Sequence, residues 1–158
     1  MVFDHVTAVV ADADAAADAL RRLLGAEPVA IVALPGMAIR SFRVGNAEIH
    51  VNAPTGPGPV DEHLRRHGAS YHHLALAVED LDASIAELGG RGFAMLGAPV
   101  ETAPGLREVF IDPRTAGGML IQLVERKLAV SERYEVDGAA VARLAAQGDP
   151  TSTRRSTG

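Results

Sequence analysis

Apolar and polar positions repeat along this chain. Phe3-Asp4-His5-Val6-Thr7-Ala8-Val9-Val10 lies over Tyr71-His72-His73-Leu74-Ala75-Leu76-Ala77-Val78, at the offset that carries His5 onto His73. The same offset places Val10 on Val78, Asp12 on Asp80, Asp14 on Asp82, Ala15 on Ala83 and Leu20 on Leu88. Each run is short, apolar and partly β-branched, which reads as a strand. Each is followed by a helix pattern. Asp12 or Asp14, and Asp80 or Asp82, suit the helix N-cap, where a carboxylate accepts bonds from unpaired amides. Leu20, Leu23 and Leu24 form the apolar stripe of the first helix; Leu81, Ile85 and Leu88 form that of the second. Gly25 stops one helix and Gly89-Gly90 the other.

The later part of each half matches as well. Gly45-Asn46-Ala47-Glu48-Ile49-His50-Val51 lies over Gly117-Gly118-Met119-Leu120-Ile121-Gln122-Leu123. A further strand precedes each, over Met37 to Val44 and over Arg107 to Ile111, with Pro113 and Gly117-Gly118 marking the last turn. Residues 27–33 and 93–100 leave room for one more strand per half. The pattern predicts an α+β fold of two tandem βαβββ modules, at about 1–56 and 70–126, making one domain over 1–126. The connector, 57–69, carries a short helix near Asp61–His67. In the extension, 127–148, Val136, Val141, Leu144 and Ala145 suggest a helix from near Asp137 to Gly148, covering a module edge or joining a dimer interface. The stretch 149–158 reads as a flexible tail.

Composition narrows the function classes. The chain is 158 residues long with a net charge of -5, which argues against a nucleic-acid footprint. It has no cysteine, so disulfides and thiolate metal sites are excluded. No run of about 18 apolar residues exists to span a membrane, and no basic-then-apolar leader opens the chain. A cytoplasmic protein is expected.

Strand side chains alternate faces, so His5 shares a face with Thr7 and Val9, and His50 with Glu48 and Asn52. His73 goes with Ala75 and Ala77, and Gln122 with Leu120 and Val124. His5 and His73 are equivalent in the repeat, as are His50 and Gln122. If the modules pack with pseudo-two-fold symmetry, the four side chains converge on one divalent metal ion. Zn, Co, Ni, Mn or Fe would suit that donor set. A lone histidine is more often a satisfied core or surface residue; three at repeat-related positions favour a site. His63 and His67 share a helix face, but a zincin motif needs Glu where Leu64 stands. They read as part of a solvated connector helix. His72 reads as structural, or as a donor behind the metal ligands.

These motifs resemble the vicinal-oxygen-chelate (glyoxalase/bleomycin-resistance/dioxygenase) superfamily, over about residues 2–126. Phe3-Asp4-His5-Val6 is similar to the "IDHI" of its methylmalonyl-CoA epimerase-like branch, and Tyr71-His72-His73-Leu74-Ala75 to its "HHIA". Gly45 to His50 is similar to "GNTxIE". Asp112-Pro113 with Gly118-Met119-Leu120-Ile121-Gln122-Leu123 is similar to "HP…GVLIEL". The resemblance implies a cup-shaped mixed sheet around a metal site, with His5, His50, His73 and Gln122 as ligands. It also implies a homodimer and a small-molecule substrate with adjacent oxygens. That branch carries Gln or Glu at the second ligand position and Glu at the fourth, where this chain has His50 and Gln122. The fourth-position Glu doubles as a catalytic base in the branch, and its partner base falls at Ile39. Neither Gln122 nor Ile39 can take a proton. Glu48 is then the candidate base, with a rim salt-bridge residue as the alternative. His50 as a base and Glu101 are further options. Arg107 matches an arginine of the branch and would bind an anionic group; Arg40 is a second option.

These features imply a metal-dependent epimerase or isomerase, methylmalonyl-CoA epimerase-like with an altered ligand set, working through an enolate or enediolate, with a cyclitol or keto-sugar as one candidate substrate. A glyoxalase-type lyase, for which two carboxylate ligands are expected, is one alternative. A non-catalytic small-molecule binder, of the kind that sequesters antibiotics, is another. An iron dioxygenase would need a carboxylate where Gln122 stands.

Overall fold

The computed structural model describes residues 1–127 and 137–148. Val136 and the stretch 149–158, for which a helix start and a flexible tail were expected, lie outside the described residues. The order of elements is β1 (Val2–Val9), α1 (Ala13–Leu24), β2 (Ala30–Leu34), β3 (Met37–Val44), β4 (Ala47–Pro54), α2 (Pro59–His67), β5 (Ser70–Val78), α3 (Leu81–Gly90), β6 (Val100–Ala103), β7 (Leu106–Ile111), β8 (Ile121–Arg126) and α4 (Gly138–Gln147). Two βαβββ modules in an α+β fold follow the repeat.

The chain forms two compact units, Phe3–Leu74 and a second made of Met1–Val2 with Ala75 onward. In the first the strand order is β2-β3-β4-β1-β5, with β1 parallel to β4 and the other pairings among β2, β3 and β4 antiparallel. The parallel register sets His5 against Glu48, Thr7 against His50 and Val9 against Asn52. Side chains of paired residues share a face, so this register collects His5, Glu48, His50 and Asn52 on one side of the sheet. The other side carries Phe42, Ala47, Val51 and Ala53, all buried, and packs against α1.

Asp12 caps α1 by accepting from the amides of Asp14 and Ala15, and Gly25 ends it in the left-handed region at φ 62°. The buried stripe of α1 differs from expectation. Ala13 and Ala17 are buried, Leu20 and Leu24 are half-buried, and Leu23 is exposed. Small residues at i and i+4 let the helix lie close to the sheet, and Leu23 falls outside that stripe.

In the second unit the order is β5-β8-β7-β6, with β6–β7 and β7–β8 antiparallel. One face of β7 and β8 supplies Val109, Ile111 and Leu123 to a core with Val78, Leu81 and Leu88 under α3. Leu81, Ile85 and Leu88 thus form the expected stripe. Helix α3 ends at Gly90, as the Gly89-Gly90 pair predicts, with Arg91 as its C-cap and the positive φ (89°) at Gly92. Helix α4, capped by Asp137 and followed by Gly148, packs on β6 and β7 through buried Ala140 and Leu144. It therefore covers the module edge, since β6 ends the strand order. No helix of the described residues is long and apolar enough to cross a membrane.

The turn after β7 is fixed by Asp112. Its buried carboxylate accepts from the backbone amide of Arg114 at 2.9 Å and from the Arg114 guanidinium. The guanidinium holds this carboxyl below its usual 3.8. The folded chain thus keeps Asp112 ionised to lower pH than the unfolded chain does. Its contribution is complete above the unfolded value and is lost as pH falls through the folded one. Asp112→Asn should therefore flatten the acid limb of stability below about pH 4. Urea unfolding at a series of acidic pH values checks this; an unchanged limb would mean the pair contributes nothing.

Candidate active site

All six histidines of the chain lie in the Phe3–Leu74 unit, and their rings form a contiguous array. His5 on β1 and His73 on β5 are both buried, and their Nε2 atoms are 3.3 Å apart. His50 on β4 stacks on His5, with ring centroids 4.0 Å apart and planes 15° from parallel. On β5, His72 brings its Nδ1 to 2.7 Å from Nδ1 of His73. Alternation puts these two neighbours on opposite faces, but Nδ1 sits close to the backbone, so adjacent rings can meet there. Farther out, His63 on α2 lies 4.7 Å from the His72 ring and 4.9 Å from the His67 ring, and its Nε2 meets Ser70 Oγ at 3.0 Å.

Carboxylates set the ring tautomers. Asp4 Oδ1 is 2.7 Å from His5 Nδ1. An ionised carboxylate only accepts, so Nδ1 of His5 carries the proton and its neutral Nε2 presents a lone pair toward His73. His50 Nε2 donates to Glu48 Oε2 at 2.9 Å, and Arg43 Nη2 donates to Glu48 Oε1 at 2.6 Å. Glu48 and His50 remain partly open to solvent, at 21% and 18% side-chain exposure. Asn52 continues the same face of β4, and its buried Oδ1 accepts no hydrogen bond. Ile39 is paired with Asn52 in the β3–β4 register, so that position on this face is apolar and supplies no base.

Two imidazole nitrogens bound to one tetrahedral ion at about 2.0–2.1 Å stand roughly 3.3–3.4 Å apart. The spacing of His5 and His73 Nε2 meets that requirement. His50 does not, because its Nε2 is turned to Glu48. Among the described residues no group of three or more His, Cys, Asp or Glu side chains is arranged to hold a metal ion as it stands. The donors that fit are therefore two imidazoles, with Asp4 behind one of them, rather than the three expected from the repeat.

In the second unit, Gln122 on β8 is 4% exposed, and its Oε1 has no hydrogen-bond partner. An orphaned buried carbonyl oxygen is costly unless something electropositive meets it. Its Nε2 donates to Glu108 Oε1 at 3.2 Å. Glu108 is a buried carboxylate on β7 that the repeat did not point to, because its partner in space lies on the neighbouring strand.

Arg107 lies on the opposite face of β7 from Glu108. Its Nη1 and Nη2 each donate to Asp82 at 2.9 Å, and Nη1 also donates to Glu125 at 3.1 Å. Both partners raise the Arg107 pKa further above its ordinary range, Asp82 more than Glu125. Arg40 on β3 makes the matching contact in the first unit, donating from Nε to Asp14 at 2.9 Å. Asp14 and Asp82 are equivalent in the repeat and sit in the first turns of α1 and α3. In each module an arginine thus ties the helix start to the sheet. This arrangement explains Arg107 as a clamp, on the face away from Gln122. Glu101 also has a local role, since its Oε1 accepts from the amide of Gly105 at 2.9 Å across the β6–β7 turn.

The modules, the paired histidines and the buried amide together define a βαβββ-module protein with a built imidazole cluster. The chain belongs to the Glyoxalase/Bleomycin resistance protein/Dioxygenase superfamily, whose family model matches residues 4–110. It is 32% identical over 126 residues to the ethylmalonyl-CoA/methylmalonyl-CoA epimerase of Cereibacter sphaeroides, covering 76% of this chain and 94% of that one. It is 28% identical over 125 residues to the mitochondrial methylmalonyl-CoA epimerase of Homo sapiens, covering 76% and 71%. Among solved structures, methylmalonyl-CoA epimerase from Mycobacterium tuberculosis matches with a TM-score of 0.72 at 30% identity, over 80% of this chain and 89% of that one.

Removing the Arg107 guanidinium should leave buried Glu125 without its main partner. Arg107→Ala is expected to lower the unfolding free energy by about 1–3 kcal/mol, measured by urea denaturation, while leaving divalent-metal affinity unchanged. A stable variant with altered ligand binding would instead return Arg107 to the site.

Proposed function

We propose that the chain is an epimerase of this superfamily that inverts a carbon flanked by two carbonyl groups in an acyl-CoA thioester. The observation that carries the reading is the His5–His73 pair, with Nε2 atoms 3.3 Å apart and Asp4 behind His5. His5 and His73 are the residues that hold a divalent ion. In the second unit Gln122 is the candidate ligand, on the strength of its repeat equivalence to His50 and its unsatisfied Oε1. A bound ion would supply a Lewis acid for two adjacent substrate oxygens. Zn, Co, Ni, Mn and Fe all suit these nitrogen and oxygen donors.

The proton work falls to Glu48 and His50. Epimerisation needs a proton taken from one side of a carbon and returned to the other. Glu48 is a carboxylate with solvent access, held in place by Arg43 at one oxygen and by His50 at the other. It takes the proton, and the imidazole of His50 is the neighbouring group that can hold or pass one. Asn52, with a buried unpartnered Oδ1 on the same face, offers an acceptor for a substrate donor. The superfamily resemblance favours a homodimer acting on a small molecule. The two epimerase relatives above carry acyl-CoA substrates in their names, which favours a thioester over the cyclitol or keto-sugar class.

Methylmalonyl-CoA incubated in deuterium oxide with the Co- or Zn-loaded protein should lose its 2-proton signal by NMR. Glu48→Gln should slow that exchange about 10²- to 10⁴-fold with little change in substrate binding. Absence of exchange with both methylmalonyl-CoA and ethylmalonyl-CoA would sink the reading.

A further inference from the structure

We propose that Glu108 is a positioning residue that fixes which end of the Gln122 amide faces the ligand. An amide side chain is nearly symmetric in shape, and only its hydrogen bonds decide whether oxygen or nitrogen points a given way. A cation can be met only by the oxygen. Here the NH2 end donates to Glu108 Oε1 at 3.2 Å, and that contact leaves Oε1 of Gln122 buried and without a hydrogen bond. Glu108 Oε1 is the acceptor there, and an accepting oxygen pairs only with the nitrogen end of the amide. The flipped amide would set oxygen against oxygen.

Glu108 is itself held. Thr102 Oγ1 donates to Glu108 Oε2, so both carboxylate oxygens are engaged and the group is oriented toward Gln122. The register supports the contact, since Phe110 stands opposite Gln122 and Glu108 lies two residues along on the same face of β7. That face also carries the buried apolar cluster of Ala103, Leu106 and Val124. A carboxylate in such surroundings is costly to bury and would be expected only where its hydrogen bonds serve a purpose. The arrangement gives a charged outer partner to a neutral ligand, as carboxylates behind metal-bound histidines do.

The inference rests on the reading of Gln122 as a ligand, and the test separates the two. Zn²⁺ affinity of the full chain is measured by competition with a chelating dye for the wild type, Gln122→Ala, Glu108→Leu, Glu108→Gln and the double variant Glu108→Leu/Gln122→Ala. Glu108→Leu should weaken binding about 10- to 100-fold. Glu108→Gln, which keeps an acceptor oxygen in place, should bind nearly as the wild type does. Glu108→Leu should have no further effect once Gln122 is alanine. If Gln122→Ala leaves affinity unchanged, the ligand reading fails and this inference with it. If Gln122→Ala weakens binding but Glu108→Leu does not, or if Glu108→Leu costs as much in the double variant, the positioning role alone is overturned. Should Glu108→Leu fail to fold, Glu108→Asp draws the carboxylate back by one methylene, and the same loss is expected of it.

Discussion

Two buried imidazoles set the terms for the rest of the first unit. A pair of buried rings with Nε2 atoms 3.3 Å apart must share a proton or a cation. Asp4 accepts a hydrogen bond from Nδ1–H of His5, which makes the inner nitrogen of that ring a lone-pair donor. The remaining geometry follows from keeping these rings in place. Strands β1 and β5 carry them, the parallel register of β4 brings Glu48 and His50 alongside, and α1 packs the reverse face through alanines small enough to sit close.

A second device holds the frame. In each module an arginine on the third strand donates to an aspartate in the first turn of the helix: Arg40 to Asp14 and Arg107 to Asp82. The helix N-terminus favours that carboxylate, and the arginine lowers the Asp82 pKa. The same repeat that duplicates the first-strand histidines thus duplicates their support. Interpreting Arg107 as an anion-binding residue follows from its place in the sequence motif. In the structure the strand's alternation turns Arg107 to the face covered by α3, where it donates to Asp82 and Glu125.

Most of the fold was legible because it rests on local signals. Asp12 and Asp80 cap their helices as their spacing suggests, and Gly45 makes its turn with φ 63°. The misreadings were of kinds that local signals cannot resolve. Leu23 fits an apolar stripe by composition yet faces solvent, because Ala13 and Ala17 make the close contact. In the site, the equivalence of His5 and His73 was visible in the repeat. The turning of His50 to Glu48, and the contact of Glu108 with Gln122, depend on rotamers and on strand register, which a linear pattern does not carry.

His5 and His73 are proposed to bind one divalent ion through Nε2. X-ray absorption at the zinc edge of the Zn-loaded protein tests it most directly. The expected result is a nitrogen/oxygen shell at roughly 2.0–2.1 Å with outer-shell scattering from two imidazoles, one of which disappears in His73→Ala. A zinc shell without imidazole scattering, or a spectrum unchanged in both His5→Ala and His73→Ala, would contradict it.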